Sequence, residues 1–309
     1  MNVTGKPGRI LVPLDGSELA QRALPLAAEL ARRSGAPVEL VHVHVPISPD
    51  PIHVEGLPVI DEDMHSLRRA HERAYLEQAR DRLGPGVAAS AALLDGPVAT
   101  SLSAHARAVG AWLILLTTHG RGGLERIWLG SVADELARVS PVPVLLIRPE
   151  PVAAAGRFGR ILVPLDGSKR GETILEHAVR LARVAGDAEL VLFEVVQPVD
   201  AAVWLPQGEL SVAVPAGDFL RRRREGARAY LEEAARPLAA AGLRVRTRVE
   251  VAGSVAAAIL EAARAEQVDL VALATHGRSG LARVALGSVA DKVVRGSRTP
   301  VLLFRPPAG

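Results

Sequence analysis

Two aspartates stand where a carboxylate could accept hydrogen bonds from a polar ligand: Asp15 in the stretch RILVPLDGS (Arg9 to Ser17), and Asp166 in an identical stretch from Arg160 to Ser168. A second block also occurs twice: THGRGGLERIWLGSVADELAR from Thr118 to Arg138, and THGRSGLARVALGSVADKVVR from Thr275 to Arg295. With the residue before each block, the patterns are T-x2-G-x9-G-S (Thr117, Gly120, Gly130, Ser131) and A-x2-G-x9-G-S (Ala274, Gly277, Gly287, Ser288). Glycines let a backbone approach a ligand and turn its amides inward. A helix that starts at Gly-Ser offers unbonded N–H groups and the positive end of its dipole. The combination is a phosphate cradle. It is not a P-loop, because no G-x4-G-K-[ST] occurs, and the nearest cations are Arg121 and Arg278.

Other residues tempt a chemical reading and are set against plainer ones. The Asp-Gly-Ser stretch is also ordinary turn chemistry. His119 and His276 are loop histidines without a paired acid or base, which reads as structural rather than catalytic. His42 and His44 share a strand face by their i, i+2 spacing and could hold a metal with His53, but the second copy places Leu192 and Glu194 there on a simple alignment. The run Arg221 to Arg224 is followed by Glu225, Glu232 and Glu233 without interleaved aromatics. It reads as a solvated helix face, and no nucleic-acid partner is expected.

The elements that must position these residues follow from the duplication. The repeats lie 151 residues apart at the aspartates and 157 apart at the Gly-Ser pairs. Two anchors at nearly one period in a chain of 309 residues mean two domains, expected over 1–150 and 157–309 with a linker around 149–159. Each half reads as a buried strand (RILVP), a helix (from Ser17 to Gly35 in the first copy), and a second strand (VELVHVHV; AELVLFEVV). A variable Pro-rich loop, a polar helix, a third strand and a third helix come next. A fourth strand (WLILLT; LVALAT), the glycine block, a helix from Ser131 or Ser288, and a last strand (PVLLIRP; PVLLFRP) complete it. Strands alternating with helices imply two open parallel five-stranded sheets with helices on both faces, a Rossmann-like α/β fold. Such sheets bind ligands beyond the carboxyl ends of their strands.

Composition narrows the classes. The chain is 49% hydrophobic but 3% aromatic, so its cores are aliphatic, and with zero cysteines it has no disulfide, thiolate metal site or Cys nucleophile. A formal charge of +3 is no nucleic-acid signature. No apolar run approaches the ~20 residues of a membrane span, and the first residues lack a signal-like stretch, so a soluble cytoplasmic protein without a membrane partner is expected.

The order strand-VPLDGS, then THGRxG-x6-GSVAD and PVLLxRP, found twice, resembles the universal stress protein family in its tandem form. The resemblance implies an adenine-nucleotide-binding fold with ATP as ligand, with or without Mg. By it, Pro13 and Asp15, with Pro164 and Asp166, lie beside the adenosine, and Val45 and Val195 pack on the adenine. Gly120, Gly130, Ser131 and Val132, with Gly277, Gly287, Ser288 and Val289, line the phosphates. Both copies depart from the family pattern at its first glycine, Thr117 in one and Ala274 in the other. If that position requires positive φ, Thr is the costlier; if it requires only a small side chain near the ligand, Ala is harmless and Thr still has room to fit. The second copy is expected to be the better site, while Asp15, Gly130 and Ser131 keep the first a candidate. No general base or Mg-binding carboxylate pair accompanies the cradle, so at most slow ATP turnover is expected. A nucleotide-independent assembly module is the alternative, with homo-oligomers formed through the final strands.

Overall fold

A computed structural model describes residues 8–45, 53–54, 57–58, 62–118, 129–148, 158–198, 216–275 and 286–306. Two compact units divide at Gly156 and Arg157. In the first, β1 (Arg9–Pro13), β2 (Val38–His44), β5 (Ala89–Asp95), β6 (Ala111–Thr117) and β7 (Val144–Ile147) pair in parallel, in the order β5-β2-β1-β6-β7. The connecting helices are α1 (Glu18–Gln21), α2 (Leu24–Ser34), α3 (Glu62–Asp81), α4 (Val98–Ala108) and α5 (Ser131–Val139). A short antiparallel pair, β3 (His53–Val54) with β4 (Leu57–Pro58), interrupts the loop after β2, where sequence gave no strand signal.

The second unit repeats the plan. Its strands β8 (Arg160–Pro164), β9 (Glu189–Val196), β10 (Val245–Val251), β11 (Leu270–Ala274) and β12 (Val301–Phe304) are parallel, in the order β10-β9-β8-β11-β12. Its helices are α6 (Lys169–Glu172), α7 (Ile174–Val184), α8 (Ala216–Ala240), α9 (Val255–Ala265) and α10 (Ser288–Gly296). Both units therefore have the expected parallel α/β fold. Their central strands bury every or nearly every residue, as parallel strands covered on both faces must. Among the described residues no helix is long and apolar enough to cross a membrane.

Two local features depart from expectation. The first helix of each unit is broken: Arg22 and Ala23 separate α1 from α2, and Thr173 separates α6 from α7. In the first unit Pro25 explains the restart, since it lacks the N–H that would bond back into α1 and fits the first turn of a new helix. In the second, the Thr173 hydroxyl donates to the Arg170 carbonyl at 2.6 Å, tying the break locally.

The second departure is one of register. Ile10 lies opposite Val38, whereas its repeat Ile161 lies opposite Leu190, so 151 residues separate the first pair of equivalents and 152 the second. The extra residue is taken up in the turn before β9, where Gly186 and Asp187 both adopt positive φ (96° and 61°). Val45 and Val195 are consequently not equivalent positions, as the simple alignment had them. The counterpart of Val195 is Val43, and His42 and His44 correspond to Glu194 and Val196.

Candidate functional site

In each sheet the chain leaves the first strand on one side and returns on its other side with the fourth, so strand order reverses between β1 and β6, and between β8 and β11. In open α/β sheets the ligand crevice lies beyond the strand ends at such a reversal. Asp15 and Asp166 follow β1 and β8 at one lip of the reversal. Thr117 and Ala274 end β6 and β11 at the other.

The aspartate turns are built alike. Ser17 donates to Asp15 Oδ1 through its amide (2.9 Å) and its hydroxyl (2.6 Å), and the same hydroxyl accepts from the Ala20 amide (3.1 Å) to cap α1. Ser168 repeats this on Asp166 Oδ1 at 3.1 and 2.6 Å, and caps α6 through the Gly171 amide at 3.0 Å. Gly16 and Gly167 supply the positive φ (89° and 79°) that the turn requires. The turn is also hung on the sheet: the Leu14 amide bonds Val41 O, and the Leu165 amide bonds Phe193 O, both at 2.8 Å. The carboxylates are thus held in one orientation at the strand ends, and the plain turn role holds alongside any ligand role.

At the other lip the glycine block closes on itself. The Gly130 amide donates to Thr118 O (2.8 Å) and the Gly287 amide to Thr275 O (3.0 Å), pinning each block where its helix begins. A side chain at Gly130 would press its Cβ to 3.2 Å from Thr118 O, so the close return favours glycine. Helices α5 and α10 then start at Ser131 and Ser288, as expected, with Asp134 and Asp291 as the first i→i−4 donors. Ser131 and Ser288 are exposed at the helix starts, and Val132 and Val289 are part-buried. Thr117 is buried and Ala274 part-buried. Positive φ among described non-glycine residues is confined to Asp187 and Gln267, so neither Thr117 nor Ala274 is strained; the backbone argument against Thr117 falls, and only the bulk of its side chain distinguishes the two.

Helices α3 and α8 bring residues that sequence reasoning missed. Tyr75 reaches Ser17 O through its hydroxyl (3.5 Å) and meets His42 edge-on. Its counterpart Tyr230 is half-buried. Burial, with the negative charges of Glu172, Glu194 and Asp166 around it, holds its phenol well above the usual range, so it remains a hydrogen-bond donor. These are the chain's two tyrosines, both within a repeated RAYLE, and that repetition was the available signal.

His42 and His44 do share a face, but they converge on one carboxylate. His44 Nδ1 lies 2.7 Å from Glu72 Oε2, and His42 Nε2 lies 3.6 Å from Glu72 Oε1. Among the described residues no group of three or more His, Asp or Glu side chains is disposed to hold a metal, and the His53 side chain lies outside them. Of the second unit's arginine run, Arg221 pairs with Asp218 at 3.0 Å and Arg223 lies over the Phe219 ring. Gly120, Gly277, His119, His276, Arg121 and Arg278 lie outside the described residues. Val45 is half-exposed just beyond β2, while Val195 is part-buried within β9.

Comparison with known proteins agrees with this architecture. The sequence profile of the Universal stress protein family matches twice, over residues 7–148 and 157–305. A universal stress protein of Mycolicibacterium smegmatis is 30% identical over 302 residues, covering 96% of this chain and 97% of that protein. One from Mycobacterium tuberculosis is 28% identical over 307 residues, covering 96% of each. The crystal structure of a universal stress protein from Archaeoglobus fulgidus superposes with a TM-score of 0.67 at 20% identity, over 97% of this chain and 96% of that one, which speaks to the fold. With two profile matches in tandem and relatives alike over nearly its whole length, the chain belongs to the universal stress protein family.

Proposed function

We propose that each unit binds an adenine nucleotide, with ATP as the ligand, in the crevice where its strand order reverses. The observation that supports this reading is the recurrence, in both units, of a fixed carboxylate at one lip and a helix start at the other. A carboxylate is an acceptor only, suited to the hydroxyl and amine donors of adenosine. An exposed helix start is a donor set with a positive dipole end, suited to phosphate. The chemistry of the two lips thus suits the two ends of one ligand.

In this reading Asp15 and Asp166 accept from the adenosine, with Pro13 and Pro164 beside them, and Val45 and Val195 supply apolar surface to the base. The amides at Ser131 and Val132, and at Ser288 and Val289, hold phosphate together with Gly120, Gly130, Gly277 and Gly287. Mg, where present, accompanies the phosphates. Thr117 crowds its crevice more than Ala274 does, so the second unit binds more tightly. The role is that of a nucleotide-binding stress or signalling protein rather than a fast enzyme.

Isothermal titration of the full chain with ATP tests it. Two equivalents should bind per chain. Asp15→Ala and Asp166→Ala should each weaken one of them by about 10- to 100-fold, the worth of a hydrogen bond to a charged group. Absence of binding at millimolar ATP, or aspartate variants that titrate like the parent, would overturn it.

A further inference from the structure

The first unit carries, beneath its aspartate turn, a buried cluster that nucleotide binding by itself does not call for. His42 Nδ1 lies 2.7 Å from the carbonyl of Leu14, the residue before Asp15. A carbonyl can only accept, so Nδ1 carries hydrogen, and Nε2 is the nitrogen that distinguishes a neutral ring from a protonated one. That Nε2 faces Glu72 Oε1 at 3.6 Å. A neutral ring turns a lone pair toward the carboxylate there; a protonated ring turns an N–H. The second Glu72 oxygen is taken by His44 Nδ1, and Arg68 Nε lies 3.5 Å from Oε1.

Other described groups face the cluster from α3 and β5. From α3 come His65, whose ring centroid is 5.8 Å from that of His44, and Tyr75, edge-on to His42 at 6.3 Å. From β5 comes Asp95, ion-paired with Arg69 and lying in the fields of His44 and Arg73. His42, His44 and Glu72 are all buried (7%, 2% and 8% exposed), so the interaction between them is little screened by water. The cluster touches the turn at two points, Leu14 O through His42 and Ser17 O through Tyr75. In the second unit the same positions hold Glu194, Val196 and Ala227, the last by the shared RAYLE alignment, so none of the three cluster positions repeats a histidine or Glu72.

We propose that the His42–Glu72–His44 cluster makes the first unit's nucleotide site proton-linked, the Leu14–Asp15 turn being braced more firmly when His42 carries its second proton, and that the second unit lacks this control. The proposal rests on the nucleotide reading above. Proton uptake changes the Nε2 contact with Glu72 from a lone pair to a donor, stiffening the link from α3 through the ring to Leu14 O. A stiffer turn narrows the excursions of the Asp15 carboxylate about that one orientation, which lowers the cost of binding. His42 and Glu72 are therefore positioning residues.

The experiment uses two full-length single-site chains, Asp166→Ala to read the first unit and Asp15→Ala to read the second, each titrated with ATP at pH 8 and pH 6. Protonation of ATP itself is common to both, so the difference between them reports the protein. The first unit should gain about fivefold in affinity over the second on going to pH 6, at the lower end of ordinary coupling between sites. His42→Asn in the Asp166→Ala chain keeps an N–H for Leu14 O but cannot titrate, and should abolish the excess; Glu72→Gln should do the same. Should His42→Asn fail to melt cooperatively by circular dichroism, the Glu72→Gln chain decides. Equal pH dependence in the two single-site chains, or an excess that survives substitution, overturns the proposal while leaving nucleotide binding intact. Absence of ATP binding at both pH values overturns the functional reading and this proposal with it.

Discussion

Beneath the Asp15 turn the first unit buries two imidazoles around Glu72, whereas beneath the Asp166 turn the second unit has Glu194 and Tyr230, with Ala227 where Glu72 stands. The turns themselves match closely in hydrogen bonding, both hydroxyl contacts to Oδ1 being 2.6 Å. The contrast teaches which layer of the structure duplication has held. Asp-Gly-Ser satisfies its own polar groups within a few residues, so its geometry is local and survives different supports. The supports are made by contacts between residues distant in sequence, and each unit has found its own.

The largest test of that contrast lies in the strand beside the turn, where Val41 and Phe193 are equivalent and each accepts the amide that hangs the turn on the sheet. Both are fully buried. Phe193→Ala should destabilise the second unit by about 3–5 kcal/mol, and Val41→Ala the first by about 2 kcal/mol. Hydrogen exchange resolved by peptide, at rising urea, separates the two; equal losses would mean the units pack this position alike after all.

Next in size is a pH effect confined to the second unit. His177 packs against the Phe304 ring at 4.0 Å between centroids, where the first unit has the buried Leu26. Burial pulls the His177 imidazole down to about 4, with Arg180 adding to the effect and Glu176 opposing it. The folded state prefers the neutral ring while the unfolded chain takes up the proton below about pH 6.5. Stability from this source is therefore complete above that pH and declines as pH falls toward 4, by up to about 3 kcal/mol. His177→Leu should flatten the decline in the second unit's urea midpoint between pH 7 and pH 4.5; an unaltered slope would remove His177 from the account.

The smallest effect should be equal in the two units. Ser17→Ala and Ser168→Ala each remove a helix cap and the bonds to an aspartate, at a cost of about 1 kcal/mol. Faster amide exchange at Ala20 and Gly171 would report it. Unequal costs would show that the two serines do not carry equal shares of their turns.

Much of this was legible in the sequence because it is encoded locally. RILVP announces a buried strand by its β-branched run and its Pro-Leu-Asp-Gly stop, and Gly-Ser before an apolar periodicity marks the starts of α5 and α10. The helix break at Arg22 is not read from the sequence, where one helix runs from Ser17 to Gly35; Pro25 marks it in the first unit, but nothing comparable stands before Thr173. Contacts such as His44 with Glu72, 28 residues apart, depend on which face of α3 meets β2, and periodicity gives no register between elements. For the same reason the repeated tyrosine could be seen but not placed.

Asp187, held at φ 61° beside Gly186, has a consequence for how such a chain can change length. Inside a strand, one added residue turns every following side chain to the opposite face of the sheet. Here the turn absorbs the addition before β9 begins, and Leu190 still pairs with Ile161 as Val38 does with Ile10. The turn behaves as a slack joint: a single inserted codon is spent in a left-handed bend, and the sheet beyond it folds as though nothing had been added.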